Sequence, residues 1–83
     1  MRLIGIGFGN MVNAERIIAV VSPDSNPMKR MIATGKENGM LIDATQGRKT
    51  KSVILMDSDH IVLSYLSVEN IDAKIGQEVH YEG

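Results

Sequence analysis

The sequence predicts a small α+β domain with one small antiparallel β-sheet, one main helix and a short C-terminal helix. Three observations lead to this fold class. Short β-branched runs such as Ile17–Val21 are separated by turn residues, a pattern that is typical of strands. A single segment after Pro27 has helical periodicity and a cap at each end. The chain has 83 residues, which is enough for one domain and too few for two.

The N-terminal part predicts two strands and a glycine-rich bend. Residues 2–6 alternate loosely and predict a short strand that ends in a bend over residues 7–10. After a turn, Ile17–Val21 is expected to be a buried strand. A strand face without side chains allows another backbone or subunit to approach closely. We expect such a face here from three glycines at a period of two: Gly5, Gly7 and Gly9.

The main helix is predicted from its two ends. Pro27 suits the first helical position, with Ser25 or Asn26 as the N-cap. The helix is expected to run to about Asn38 and to stop at Gly39. An apolar stripe at helical spacing should face the core, and it consists of Met28, Met31, Ile32 and Gly35.

The segment after the helix predicts a hairpin. Two apolar runs, residues 40–42 and 53–56, flank a polar segment, residues 46–51, which we call the basic loop. Glycine and polar residues between two apolar runs predict that the basic loop is the tip of a hairpin. A tight turn at residues 57–60 should lead to a strand over residues 61–66, antiparallel to 53–56.

The C-terminal part predicts a short helix and a tail. Ser67 can cap a helix over residues 68–75, with Gly76 ending it. We therefore expect a single domain over residues 1–76 and a C-terminal tail over residues 77–83.

Composition favours a cytoplasmic oligomer. The chain has no cysteine and three aromatic residues, so its core must be thin and aliphatic, and a small domain of this kind often gains stability by oligomerising. No apolar run reaches the roughly 18 residues of a membrane span, so no membrane contact is expected. Because no signal peptide is recognisable at the N-terminus, the expected compartment is the cytoplasm.

Charge is distributed unevenly along the chain. The net charge is only −1, yet positions 16–51 hold seven Lys or Arg against three acids, and the remainder holds two against seven. This asymmetry indicates one side that faces an anion and one that faces away from it. The alternative is that both sides are ordinary solvated surface.

The sequence lacks the patterns of a cofactor site or an enzyme. The glycine-rich start is not followed by a helix, so it does not fit a dinucleotide-binding fingerprint, and no cofactor is expected. Asp57, Asp59 and His60 could be metal ligands or an acid–base set, but their spacing is also what a tight turn requires. We therefore expect neither a metal site nor catalysis.

The basic loop is the strongest candidate site. Phosphate oxygens can be contacted by Arg48, Lys49 and Lys51, with the Thr50 hydroxyl as a neutral donor. Three other cations could join them if the fold places them on the same side: Arg16, Lys29 and Arg30. No aromatic residue is interleaved with these cations in the sequence, which disfavours single-strand stacking. The candidates that remain are contact with a duplex backbone or with a phosphorylated ligand.

Several motifs in order resemble the RemA family, the bacterial extracellular-matrix regulatory proteins, over about residues 4–66. They are GFGN at 7–10, RIIAVVSP at 16–23, SNPMKR at 25–30, LIDAT at 41–45, GRKTK at 47–51, and MDSDH at 56–60 followed by Leu63 and Ser64.

This resemblance implies a non-enzymatic, nucleoid-associated bacterial transcription regulator that binds double-stranded DNA. It implies control of genes for biofilm matrix and osmoprotection, a β-rich fold similar to LytTR-type domains, and a ring of subunits with DNA around its rim. Arg16, Arg48 and Lys49 match the family's basic DNA-contact residues, and Pro27 matches a family proline. Because Lys lacks the bidentate fork of Arg, Lys49 and Lys51 are expected to contact phosphate rather than bases.

Two alternatives remain open on the residues alone. One is a non-enzymatic oligomeric adaptor that binds a protein or a phosphorylated ligand through the basic loop. The other is an enzyme with Asp57, Asp59 and His60 at a subunit interface, which would require a bound metal.

Overall fold

The structure, a computed structural model, describes residues 1–76 of the chain. The predicted tail over residues 77–83 lies outside the described residues. Along the described part the elements are β1 (Leu3–Gly7), β2 (Asn10–Asn13), a 3₁₀ turn (Ala14–Arg16), β3 (Ile17–Val21), α1 (Asn26–Glu37), β4 (Leu41–Asp43), β5 (Ser52–Met56), β6 (Ile61–Ser64) and α2 (Val68–Gly76). None of the described helices is long and apolar enough to cross a membrane.

The strands form two sheets, which together with α1 and α2 confirm the predicted α+β class. β1 and β2 pair antiparallel in a small sheet of their own. The larger sheet has the order β3-β5-β6-β4. Within it β5 is antiparallel to both β3 and β6, whereas β4 runs parallel to β6. The larger sheet is therefore mixed, and antiparallel pairing alone does not describe it.

The predicted hairpin of residues 40–42 with residues 53–56 is wrong. β4 and β5 are not neighbours, because β6 lies between them. A strand has only two edges, and both edges of β5 are taken, by β3 on one side and β6 on the other. β4 can then pair only with the free edge of β6, and the basic loop crosses over from β4 to β5. The true hairpin is β5–β6, closed by the predicted turn over residues 57–60.

The two central strands of the larger sheet, β5 and β6, are covered on both faces, which explains their continuous apolar runs. On one face, Val53, Ile61 and Leu63 form a cluster against which residues of α1 pack, including Met28 and Ile32. The other face joins β1, β2 and α2 in a second cluster of buried residues. This cluster consists of Ile4, Ile6, Ala14, Ala44, Ile54, Val62 and Ile71.

The predicted helix ends are confirmed. The Ser25 hydroxyl accepts a hydrogen bond from the Met28 backbone N–H at 3.2 Å, with Pro27 in the first turn and Gly39 in the left-handed region at φ +74°. At the start of α2, the Ser67 hydroxyl accepts from the Asn70 N–H at 3.1 Å. These N-caps fix the residue at which each helix begins.

Gly35 lies closely packed inside α1. It is buried, and a Cβ added to it would lie 2.8 Å from Cδ1 of Ile61. A glycine within a helix costs about 1 kcal/mol relative to alanine. Here that cost is offset by the close approach of α1 to β6.

Candidate nucleic-acid interface

The basic loop is anchored at its β4 side by Asp43. The Asp43 carboxylate accepts hydrogen bonds from the Thr45 hydroxyl at 2.6 Å and from the Thr45 N–H at 2.9 Å. These two bonds lower the pKa of the Asp43 carboxyl. Thr45 is buried, so the loop starts from a fixed point.

Tight backbone geometry continues through the loop. Gln46 and Gly47 both have left-handed conformations, with φ of +53° and +82°. The Arg48 N–H donates to the Thr45 carbonyl at 3.0 Å, and the Lys51 N–H donates to the Ser64 carbonyl at 2.9 Å. The basic loop is therefore a closed turn held at both ends, although it is not a hairpin tip.

The cations of the loop point into solvent. Arg48, Lys49 and Lys51 are exposed, and Thr50 is half-buried. Among residues 1–76, none of the three cations forms an ion pair with a carboxylate. Three positive charges on a short anchored turn create a local field that attracts an anion.

An aromatic pair lies beside these cations. Phe8, in the turn between β1 and β2, has its ring 4.8 Å from the ring of Tyr65, measured between centroids. Cζ of Arg48 lies 6.0 Å from the centroid of Phe8. The sequence reading missed this neighbour because Phe8 is forty positions from Arg48 in the chain. The available signal was a large apolar residue placed between Gly7 and Gly9 in a bend.

Arg16 lies at the other end of the sheet. Ile17, next to Arg16, pairs with Met56 at one end of β5, whereas the basic loop adjoins Ser52 at the other end. Arg16 and the basic loop are therefore separated by the length of β5, about 14 Å at the usual rise per residue. We call the end of the sheet at Met56 the turn end and the end at Ser52 the loop end. The Arg16 Nε–H donates to both oxygens of Asp57, at 2.9 and 2.7 Å. This hydrogen bond and the charge of Asp57 raise the pKa of the Arg16 guanidinium.

Of the two helical cations, Arg30 lies away from the basic loop. Lys29 and Arg30 are both exposed on α1. Arg30 lines a cavity with Pro27, Asn38 and Asp59, and Asp59 belongs to the turn end. The structure thus groups Arg48, Lys49, Thr50 and Lys51 and leaves Arg16 and Arg30 elsewhere.

The candidate metal or acid–base residues form the turn that the sequence predicts. Asp57 pairs with Arg16, and the Ser58 hydroxyl lies 2.7 Å from Nδ1 of His60. Asp59 takes the left-handed position of the turn, with φ +72°. Within residues 1–76, no three His, Cys, Asp or Glu side chains are grouped so as to hold a metal ion.

Comparison with known proteins identifies the family. Residues 3–75 match the profile of the RemA-like family, described as extracellular matrix regulatory protein A-like. The chain is 49% identical to extracellular matrix regulatory protein A of Bacillus subtilis, covering all of this chain and 96% of the relative. Two further relatives are named as regulatory proteins.

The first of these, from Thermodesulfovibrio yellowstonii, is 59% identical over 90% of this chain and 88% of its own length. The second, from Desulforudis audaxviator, is 58% identical over 86% of this chain and 75% of its own length. The predicted resemblance is thereby confirmed, and the chain belongs to the RemA-like family of bacterial regulatory proteins.

Proposed function

We propose that the protein is a DNA-binding transcription regulator that acts as a ring-shaped oligomer and contacts DNA phosphates through the basic loop. The observation that carries this proposal is the anchored loop with three exposed cations that no carboxylate of residues 1–76 neutralises. The target genes are those for biofilm matrix and osmoprotection. The name of the Bacillus subtilis relative, extracellular matrix regulatory protein A, supports the matrix part of this role. The proposed place of action of the present protein is the nucleoid, in the cytoplasm.

The charge of the loop accounts for binding despite a net charge of −1. Arg48, Lys49 and Lys51 supply about two or three phosphate contacts per protomer, with Thr50 as a neutral donor. Each neutralised phosphate releases counterions, so affinity falls steeply as salt rises. Arg16, Lys29 and Arg30 contribute as secondary contacts if DNA extends beyond the loop end.

Oligomerisation supplies the affinity that a single loop lacks. Two or three phosphate contacts bind weakly, whereas loops repeated around a ring act at high effective concentration along one DNA. The two outer strands of the larger sheet support self-association. Ile18 on β3 is 66% exposed and Ile42 on β4 is 48% exposed. Exposed apolar edge strands favour pairing with another chain, and two different edges suit the head-to-tail contact of a ring.

Loop variants test the DNA-binding part of the proposal. Arg48→Ala and Lys49→Ala should each weaken binding to promoter fragments at least about tenfold in a gel-shift titration, because the lost contact recurs in every protomer. Lys36→Ala is the matched control, since Lys36 is an exposed cation in the last turn of α1. If Arg48→Ala and Lys49→Ala bind the promoter fragments as tightly as Lys36→Ala and the parent do, the basic loop is excluded as the contact surface.

A second candidate function is an oligomeric adaptor, which the same exposed cations favour because they can bind any phosphorylated ligand. The two functions differ in their response to DNA length. Light scattering with fragments of increasing length should give a complex whose stability rises with length if a ring wraps DNA. A DNA-binding signal that is absent, or independent of length, would favour the adaptor.

A further inference from the structure

The turn between β1 and β2 holds a phenylalanine at a position where neither the backbone conformation nor the core requires one. Gly7, Phe8 and Gly9 all have positive φ, at +111°, +55° and +78°. A bulky residue in the left-handed region is costly, and glycine or asparagine would form the same turn with less strain. Phe8 is also 43% exposed, so burial does not explain its presence. Strain of this kind accumulates at functional sites.

The ring of Phe8 rests on a prepared support. A Cβ added to Gly7 would overlap the ring of Tyr65, so the absence of a side chain at Gly7 lets that ring pack on the turn. Tyr65 follows Ser64, whose hydroxyl donates to the Ile6 carbonyl at 2.8 Å and ties β1 to β6. Phe8 then packs on Tyr65 at 4.8 Å, with the two ring planes inclined at 39°.

The same segment also holds the basic loop. The Ser64 carbonyl accepts from the Lys51 N–H at 2.9 Å. Ser64 is therefore bonded both to β1, the strand that leads into the turn of Phe8, and to the loop that carries Arg48. Because both are tied to one residue, the 6.0 Å between the Arg48 guanidinium and the Phe8 ring follows from the fold.

We propose that Phe8, supported by Tyr65, is a positioning residue that holds the Arg48 guanidinium ready for a DNA phosphate. This inference rests on the proposed function and adds a residue that lies outside the basic loop. A guanidinium held over an aromatic face keeps its N–H groups free at the edge, where they can bind an anion. Ordering Arg48 before DNA arrives lowers the entropy lost on binding.

The size of the effect follows from the strength of an exposed cation–π contact. The interaction energy usual for such a contact corresponds to about a two- to fivefold change in DNA affinity per protomer. Where several protomers engage one DNA, these factors multiply.

A double-mutant cycle in the full-length oligomer tests this role, with promoter-fragment affinity measured by fluorescence anisotropy. Phe8→Asn suits the left-handed turn and removes the ring. It should lower affinity at least about twofold in the parent and have no further effect in Arg48→Ala. Phe8→Tyr, which keeps a ring, should retain the parent affinity. The same loss in both backgrounds would overturn the proposal, because Phe8 would then act independently of Arg48.

A melting experiment checks separately that the Phe8 variant folds. Phe8→Asn should melt within about 5 °C of the parent, since relief of strain offsets lost contact with Tyr65. If it does not fold, Phe8→Leu takes its place, because leucine keeps an apolar side chain and lacks the aromatic face. If Arg48→Ala weakens binding and neither Phe8 variant does, only the positioning role fails. If Arg48→Ala leaves binding unchanged, the proposed function itself fails.

Discussion

The two ends of the larger sheet each carry an arginine, and the two differ in whether a carboxylate pairs with them. At the turn end, Arg16 donates to both oxygens of Asp57, so its charge is partly neutralised within the chain. At the loop end, Arg48 and its lysine neighbours are exposed and have no carboxylate partner among residues 1–76. The charge available to a partner therefore depends on what lies opposite each cation. The number of cations in a segment does not decide it.

The largest expected effect is a charge reversal at the loop end. Arg48→Glu combined with Lys49→Glu should lower DNA affinity at least about 100-fold in about 0.1 M salt, because attraction becomes repulsion in every protomer. The free energy of unfolding should change by no more than about 0.5 kcal/mol, since both side chains are exposed. Gel shift and urea unfolding measure the two quantities, and Lys36→Glu is the matched control. Strong unfolding by the double variant would instead give the loop a structural role.

At the turn end, two variants separate the charge of Arg16 from its contact. Arg16→Ala should lower both the melting midpoint and DNA affinity, the latter less than Arg48→Ala does, because Asp57 already neutralises part of the charge. Asp57→Asn should lower the melting midpoint and leave DNA affinity unchanged or slightly higher, since it frees the charge of Arg16. Calorimetry measures the melting midpoint of both variants, and fluorescence anisotropy measures their DNA affinity. A loss of affinity in Asp57→Asn as large as in Arg16→Ala would show that the contact matters, rather than the charge.

Acid should loosen the loop end through Asp43. The pKa of Asp43 is lowered in the folded protein from an ordinary value of 3.8, so its contribution is present above that value and is lost as pH falls through the lowered pKa. Asp43→Asn should be less stable than the parent by up to about 1 kcal/mol at pH 7, a modest figure because the side chain is solvent-exposed. The difference should narrow at pH 3. Urea unfolding at both pH values checks this, and a difference that grows in acid would contradict it.

The smallest expected effect is a gain in stability at Gln46. Gln46 has φ +53°, a conformation that asparagine adopts more readily. Gln46→Asn should raise the free energy of unfolding by about 0.5 kcal/mol or less, because Gln46 is exposed, and leave DNA affinity near the parent value. Thermal unfolding measures the gain. A loss of stability would show that the Gln46 side chain makes a contribution of its own.

Local signals in the sequence were sufficient where structure is determined locally. The caps Ser25 and Ser67 and the turn at 57–60 depend on neighbours within four positions, and each is found as predicted. The predicted hairpin of residues 40–42 with 53–56 does not form, because β3, which is distant in sequence, pairs with one edge of β5 and β6 pairs with the other.

The same distinction applies to the candidate site. The basic loop and its four residues could be identified from composition, because cations in a polar segment between strands are exposed almost wherever the strands pair. The pairing of Arg16 with Asp57 spans 41 positions, and no pattern in the sequence specifies it. Phe8 likewise meets Arg48 only through the packing of β1 against β6.

The salt dependence of DNA binding tests the central claim most directly. For a complex of known stoichiometry, the slope of log affinity against log salt counts the phosphates neutralised, about 0.9 per contact. Arg48→Ala should reduce the magnitude of the slope by about 0.9 for each engaged protomer, and Lys36→Ala should leave it unchanged. Equal slopes for the parent and Arg48→Ala would contradict the claim that the loop end of the sheet binds DNA phosphate.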